Sequence, residues 1–183
     1  MLSDLPLHYQ PAEYRIKQAV LPWETDRAHQ LRRQVFCTEQ GIFDQDDRDQ
    51  VDSSAQLLVA LACVGGMPDQ VVGTVRIHQE APGVWLGSRL AVDAAFRKQS
   101  QLGATLIRLA VCSARAQGCT TFLANVQSQN VPLFVRMHWE TLHELTLLGR
   151  PHHRMQAELA FYPPCHTPGA GFVTRPDPRR NAC

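Results

Sequence analysis

The apolar positions of this chain alternate between two periods. The clearest helical stretch is 102–117: Leu102, Leu106, Leu109 and Ala110 recur at i, i+4, i+7 and i+8. Ile107, Val111 and Ala114 add a second stripe, so this helix is expected to be buried on two sides. Upstream, Tyr14 to Val20 reads as a strand ended by Leu21-Pro22. Asp26 to Gln40 carries Ala28, Leu31, Val35 and Phe36 at helical spacing, with Thr25 or Asp26 as N-cap and Gly41 as the stop. An acidic loop, Phe43 to Ser54, follows. Leu57 to Val64 is a continuous apolar run, expected to be a strand buried on both faces. Val71 to His78 and Val84 to Val92 continue a meander, with turns at Gly65-Gly66 and Pro82-Gly83. Beyond the long helix, Thr120 to Val126 predicts a strand. A short helix opening at Asn130 runs to about Met137, with Pro132 in its first turn. Trp139 to Leu147 and His153 to Phe161 predict the last two strands. A strand, helix and strand in succession call for a parallel pair and a right-handed crossover, so the sheet is expected to be mixed.

Length and composition narrow the field without naming a function. The 183 residues suit one domain, expected over 1–162. The Pro-, Gly- and Arg-rich segment 163–183 is expected to be an irregular tail. A formal net charge of +1 lacks the electrostatic signature of a nucleic-acid or membrane-surface binder. No run approaches the roughly 18 apolar residues of a membrane span, and MLSDLPLHYQ lacks the pattern of a signal peptide. The six cysteines form no CxxC pair and sit mostly in apolar segments, as reduced thiols of a cytoplasmic protein do.

Candidate chemistry clusters before the long helix. Arg97 and Lys98 precede its start and Gly103 sits in its first turn. Unpaired N–H groups and the positive end of the helix dipole make such a place a plausible pyrophosphate cradle. A basic loop ahead of a core helix is the plainer reading. The run DQDDRDQVD fails as a calcium loop, because Arg48 stands at its fifth position, Asp49 at its sixth and Ala55 at its twelfth. It reads either as a solvated loop or, through Asp46, as an attractor of a cationic substrate. Arg76 reads as an ion-pair partner of that loop or as a contact for an anionic substrate group. His138, His143, His152 and His153 do not make a zinc spacing, and no metal is expected.

The stretch from Val92 to Leu106 resembles the acetyl-CoA loop of the GNAT N-acetyltransferase superfamily, V-x-P-x-[YF]-R-G-x-G-x-G-x-x-L. Val92, Phe96, Arg97, Gly103 and Leu106 match it, while Lys98, Gln99, Ser100 and Gln101 replace its first glycines. Val126 to Trp139 resembles the family's V-N-x-x-A-x-x-L-Y-E-K-x-G-F segment, with Gln127 at the asparagine position and Phe134 at the tyrosine position. Val35 to Gly41 with the following aspartates, and Gly149-Arg150-Pro151-His152 with Met155, are similar to segments of the ElaA-like branch and its acyl-homoserine-lactone synthase relatives. A nitrogen-starvation subgroup of acetyltransferases is the nearest resemblance within it.

The resemblance implies an α/β GNAT fold: a mixed, mostly antiparallel central sheet flanked by helices, with a parallel pair at the cofactor site. It implies acetyl-CoA as donor, a small amine as acceptor and direct transfer. It leaves open an acyl-homoserine-lactone-synthase-like activity, a catalytically silent acyl-CoA-binding module, and assembly into a homodimer. Cofactor contacts are implied at Leu90, Ala91 and Val92, through the loop of Arg97, Lys98, Gln99, Ser100, Gln101, Leu102, Gly103 and Ala104, and at Gln127, Asn130 and Phe134. Substrate contacts are expected at Arg76 and Asp46. The expected base is His152, whose unperturbed pKa suits the task, with Glu39 second; Glu39 would need desolvation. Each also has a structural reading, a satisfied hydrogen bond for His152 and an ion pair for Glu39. Phe134 cannot protonate a leaving thiolate as a tyrosine could.

Overall fold

The computed structural model describes residues 11–98 and 101–176. The elements are β1 (Glu13–Gln18), α1 (Pro22–Arg33), β2 (Gln56–Val64), β3 (Met67–Ala81), β4 (Val84–Val92), α2 (Leu102–Ala116), β5 (Thr121–Gln127), α3 (Val131–Arg136), β6 (Trp139–Leu147), β7 (Arg150–Ala157) and β8 (Phe172–Thr174). Among the described residues the strands form one sheet, in the order β6-β7-β5-β4-β3-β2-β1-β8. Its single parallel pair is β4 with β5; every other neighbouring pair is antiparallel. No helix among the described residues is long and apolar enough to cross a membrane.

Each helix explains a hydrophobic period. Leu102, Leu106, Leu109 and Ala110 of α2 join one core cluster, with Leu58, Ala60 and Ala62 of β2. Ala28 and Leu31 of α1, with Val35 and Phe36, join the other, with Val59 and Leu61 of β2. Alternate residues of β2 therefore face opposite helices. That is why its sequence is apolar without a break.

Three expectations are corrected. The first helix starts at Pro22, earlier than Thr25 or Asp26, with extended Leu21 as its N-cap. The Glu24 carboxylate, at the third helical position, accepts from the N–H groups of Val20 (2.8 Å) and Leu21 (3.0 Å) and from Lys17 Nζ (2.7 Å), tying the segment that enters the helix to its first turn. Its last part is not α-helical: Gln34–Glu39 forms a π-helical turn, with Gln40 N–H bonded to Val35 O at 2.9 Å. The final long strand is Arg150–Ala157, shifted from the expected His153–Phe161 because it starts at the Leu148-Gly149 turn.

The tail is also not wholly irregular. Phe172–Thr174 pairs with β1 and covers the sheet edge. Gly171 enters this strand at φ +61°, and a Cβ there would lie 1.9 Å from Ile16 O, so only glycine lets the tail approach β1. Residues 177–183 of the expected tail lie outside the described residues.

Candidate active site

The parallel pairing of β4 with β5 runs from Val84–Thr121 to Gly87–Ala124 and stops. On its other edge β5 is paired with β7 from Leu123 to Gln127, past the end of its pairing with β4, while β4 continues against β3 to Val92. The sheet thus splits between two neighbouring strands. One edge of Ser88 to Val92 faces the gap instead of a partner, leaving main-chain groups to be satisfied by something else.

A β-bulge marks the split. From the pair Thr74–Ala91 to the pair Arg76–Ser88, β3 advances two residues and β4 three. The bulged Arg89 has φ +56°, a conformation that costs a side chain on the order of 1 kcal/mol. Contacts hold it there. Its guanidinium lies 4.7 Å from the Phe43 ring centroid, Nε donates to Asp47 Oδ2 (3.0 Å), and Nη2 donates to Asp47 O (3.0 Å) and Asp49 Oδ2 (3.3 Å).

Arg89 is one corner of a larger network. Arg32, fully buried, donates through Nε to Asp47 (2.7 Å) and through its fork to Asp52 (2.6 and 3.0 Å). Arg76, also buried, meets Asp49 Oδ1 (2.6 Å), Asp52 Oδ2 (2.9 Å) and Ser88 Oγ (3.0 Å). Hydrogen bonding from Arg76 holds the Asp49 carboxyl below its ordinary range. Burial alone would raise Asp52, but its bonds from Arg32 and from the Asp49 N–H outweigh that and hold it far below its ordinary range. Three arginines and three aspartates balance, so the acidic loop, exposed at most of its other positions, is a structural clamp on α1, β3 and β4. Of the two readings of Arg76, the ion pair with the acidic loop is the arrangement observed. The guanidinium of Arg76 is spent on carboxylates, and Asp46 is an exposed residue 3.8 Å from Arg33. Neither lines the cavity described next.

The split opens into a cavity of about 210 Å³. Leu90, Gln127, Asn130, Phe134 and His152, all expected at the site, surround it. Phe134 is 6% exposed and packs edge-to-face on Trp139, with centroids 5.0 Å apart. The Gln127 side chain donates to Gln40 Oε1 (3.0 Å), and Arg150 donates to Gln40 O, so the end of the π-helical turn is stapled to β5 and β7. That turn brings Phe36 into the cavity wall.

His152 lines the cavity with its ring held by the main chain. Its Nδ1 lies 2.9 Å from Arg150 O. A carbonyl only accepts, so Nδ1 carries a proton and Nε2 is the nitrogen left to exchange one. His153 points elsewhere: its Nδ1 meets Thr141 Oγ1 at 3.2 Å.

Glu39 does not join the cavity. Arg97 grips it bidentately, with Nη1–Oε1 2.5 Å and Nη2–Oε2 2.7 Å. This hydrogen bonding lowers the Glu39 pKa, the wrong direction for a base. Arg97 is likewise engaged, its Nε donating to Val92 O at 3.0 Å. The structural ion pair considered for Glu39 is thus the arrangement observed.

The α2 N-terminus lies beside the end of β4, because a Cβ on Gly103 would sit 3.9 Å from Val92 Cγ2. The first α2 residues, Leu102 to Ala104, precede the Thr105 N–H, which bonds to Gln101 O (3.0 Å). Lys98 is exposed nearby in the chain. Leu102 and Ala91 are buried in the core, so only their main chain is available to a ligand. Gln99 and Ser100 lie outside the described residues. A phosphate-bearing thioester fits this donor set: an unpaired strand edge for its amides and helix-start N–H groups for its anion. Among the described residues no group of three or more His, Cys, Asp or Glu is arranged to hold a metal.

The cavity residues missed by sequence reasoning include Ser88, Arg89, Asn125, Phe122 and Trp139. Ser88-Arg89 does interrupt the apolar run VWLGSRLAV, a signal that could have flagged a bulge.

Residues 19–139 match the model of the acetyltransferase (GNAT) family. No curated protein gives a significant match. Among solved structures, a Lactobacillus plantarum protein assigned as an N-acetyltransferase is 21% identical with a TM-score of 0.70, over 79% of this chain and 97% of that one. Escherichia coli ElaA is 16% identical with a TM-score of 0.64, over 79% and 98%. A CoA-dependent acyl-homoserine lactone synthase, BjaI, solved with SAM and isopentyl-CoA, is 16% identical with a TM-score of 0.63, over 78% and 82%.

Proposed function

The chain belongs to the GNAT acetyltransferase family and is an acyltransferase, and from that premise we propose that it takes acetyl-CoA and acylates a small amine by direct transfer. One observation carries the reading. His152, with Nδ1 protonated by its bond to Arg150 O, lines the cavity that opens where β4 parts from β5.

The residues divide the work. Main-chain groups along Leu90 to Val92 hold the donor and polarise its carbonyl, an effect strengthened where water is excluded. Helix-start amides of α2, with Lys98 beside them, hold the pyrophosphate. Arg97 contributes when it exchanges Glu39 for phosphate oxygens. His152 Nε2 removes a proton from the amine as the C–N bond forms. The C–S bond then breaks, and the thiolate leaves with its proton drawn from water or the imidazolium. Phe134 packs and donates nothing.

The test measures free thiol released from acetyl-CoA across a panel of amines. His152→Ala should fold, bind acetyl-CoA, lose rate by roughly 10²–10⁴-fold and lose the rising limb of the pH–rate profile. A variant that keeps both rate and limb returns His152 to a structural role. Thermal stabilisation of the parent by acetyl-CoA without turnover on any amine supports a silent binding module instead.

A further inference from the structure

We infer that the donor site takes acyl groups longer than acetyl, of medium length, with the chain running inward past Gly87 and Ala110 toward Phe122 and Trp139. The inference rests on the donor-site reading above. The polar cavity residues, among them Ser88, Asn125, Gln127, Asn130 and His152, belong to the split and its neighbours and are half-buried or exposed. The remainder is different. Val75, Ile107, Ala110, Phe122 and Trp139 also line the cavity, yet each is at most 4% exposed. All but Val75 and Ala110 are large, and all five belong to the core cluster on the α2 side of the sheet. The opening therefore runs from a polar mouth into the hydrophobic core.

Protein interiors are packed like organic crystals. An apolar void forfeits contacts and stays dry. A void of this kind continuous with a thioester site is complementary to an apolar chain attached to the thioester carbon, and an acetyl methyl group fills only its mouth. Small residues keep the passage open. Gly87, the last β4 residue paired with β5, lets the Phe122 ring close on the β4 backbone as one wall of the passage, since a Cβ there would lie 3.0 and 3.2 Å from Phe122 Cε1 and Cζ. Ala110 and Ala124 line the passage with single methyl groups. The aromatic cluster bounds it: Phe122 and Phe134 both stand edge-to-face on Trp139, at 5.8 and 5.0 Å. That wall limits the chain to medium length.

Binding of acetyl-, butyryl-, hexanoyl- and dodecanoyl-CoA to the full chain by titration calorimetry tests this without knowledge of the acceptor. Each methylene buried should tighten binding by about fourfold, so butyryl-CoA should exceed acetyl-CoA by about fifteenfold. Hexanoyl-CoA should bind tighter still and dodecanoyl-CoA more weakly than hexanoyl-CoA. Ala110→Leu fills the passage, and the hexanoyl-to-acetyl affinity ratio should fall towards one. Equal or falling affinity from acetyl to hexanoyl in the parent overturns the inference, whether or not the variant folds. An unchanged ratio in a folded Ala110→Leu overturns the path. Failure of every CoA thioester to bind overturns the donor-site reading and this inference with it, and is distinguishable from binding that ignores chain length.

Discussion

Asp46 and Asp47 are adjacent in sequence and opposite in consequence, and Ala substitutions at the two should separate by several kcal/mol. Asp47 is buried and accepts from two arginines of distant segments, Arg32 Nε at 2.7 Å and Arg89 Nε at 3.0 Å. Asp47→Ala leaves Arg32, with no exposed surface, on Asp52 alone, and Arg89 on Asp49 and the residue-47 carbonyl. Removing one partner of a buried ion pair costs about 3–5 kcal/mol, because the remaining charge stays in a poor dielectric. At about 2–4 °C per kcal/mol for a chain of this size, Tm should fall by about 6–20 °C. Asp46 faces solvent, 3.8 Å from an exposed Arg33. Its removal should cost no more than about 1 kcal/mol. Urea unfolding of parent and variants provides the assay: the midpoint should drop sharply for Asp47→Ala and little for Asp46→Ala, with unchanged slope. Equal midpoints for the two variants would refute the clamp and return the loop to a solvated role. Because Asp47 also supports the bulge at Arg89, acetyl-CoA affinity of Asp47→Ala, measured below its transition, should fall.

Three further outcomes follow from particular contacts. If Glu39 competes with phosphate for Arg97, Glu39→Gln should tighten CoA binding by up to about fivefold, the worth of an exposed ion pair, while Arg97→Ala weakens it; equal loss in both by calorimetry would make the pair purely structural. Phe134→Ala should destabilise the chain by about 3–5 kcal/mol by removing a buried ring from Trp139, and should weaken CoA binding, whereas Phe134→Tyr should preserve or raise the rate; a Phe134→Ala protein equal to the parent in urea midpoint and affinity would displace Phe134 from the site. Gly171→Ala should detach β8 from β1, read as faster amide hydrogen exchange in Tyr14 to Ile16 without loss of acetyl-CoA binding, since a Cβ would collide with Ile16 O.

The chain's local periodicity determined the elements that local periodicity can determine. The strands Val84–Val92 and Trp139–Leu147 were legible to the residue, and the helix Leu102–Ala116 nearly so. Their apolar spacing and flanking turn residues act within one or two turns of chain. The order of these elements, with its single crossover, was enough for the mixed sheet. Five residues singled out from the sequence, Leu90, Gln127, Asn130, Phe134 and His152, also line one cavity.

Tertiary structure decided what depends on partners far along the chain. Whether an aspartate is solvated or buried depends on which guanidinium reaches it. Asp47 and Asp52 are met by Arg32 from one side of the loop, and Arg76 and Arg89 close it from strands much later in the sequence. An ion pair is one reading of Glu39 in the sequence, but its partner Arg97, 58 residues away, is identified only by the fold. The strand in the tail exists because β1 offers an unpaired edge and Gly171 can approach it. The split between β4 and β5 lies where β5 keeps β7 on its far edge to Gln127 while its pairing with β4 ends at Ala124, a divergence of two strands that no single stretch of sequence encodes.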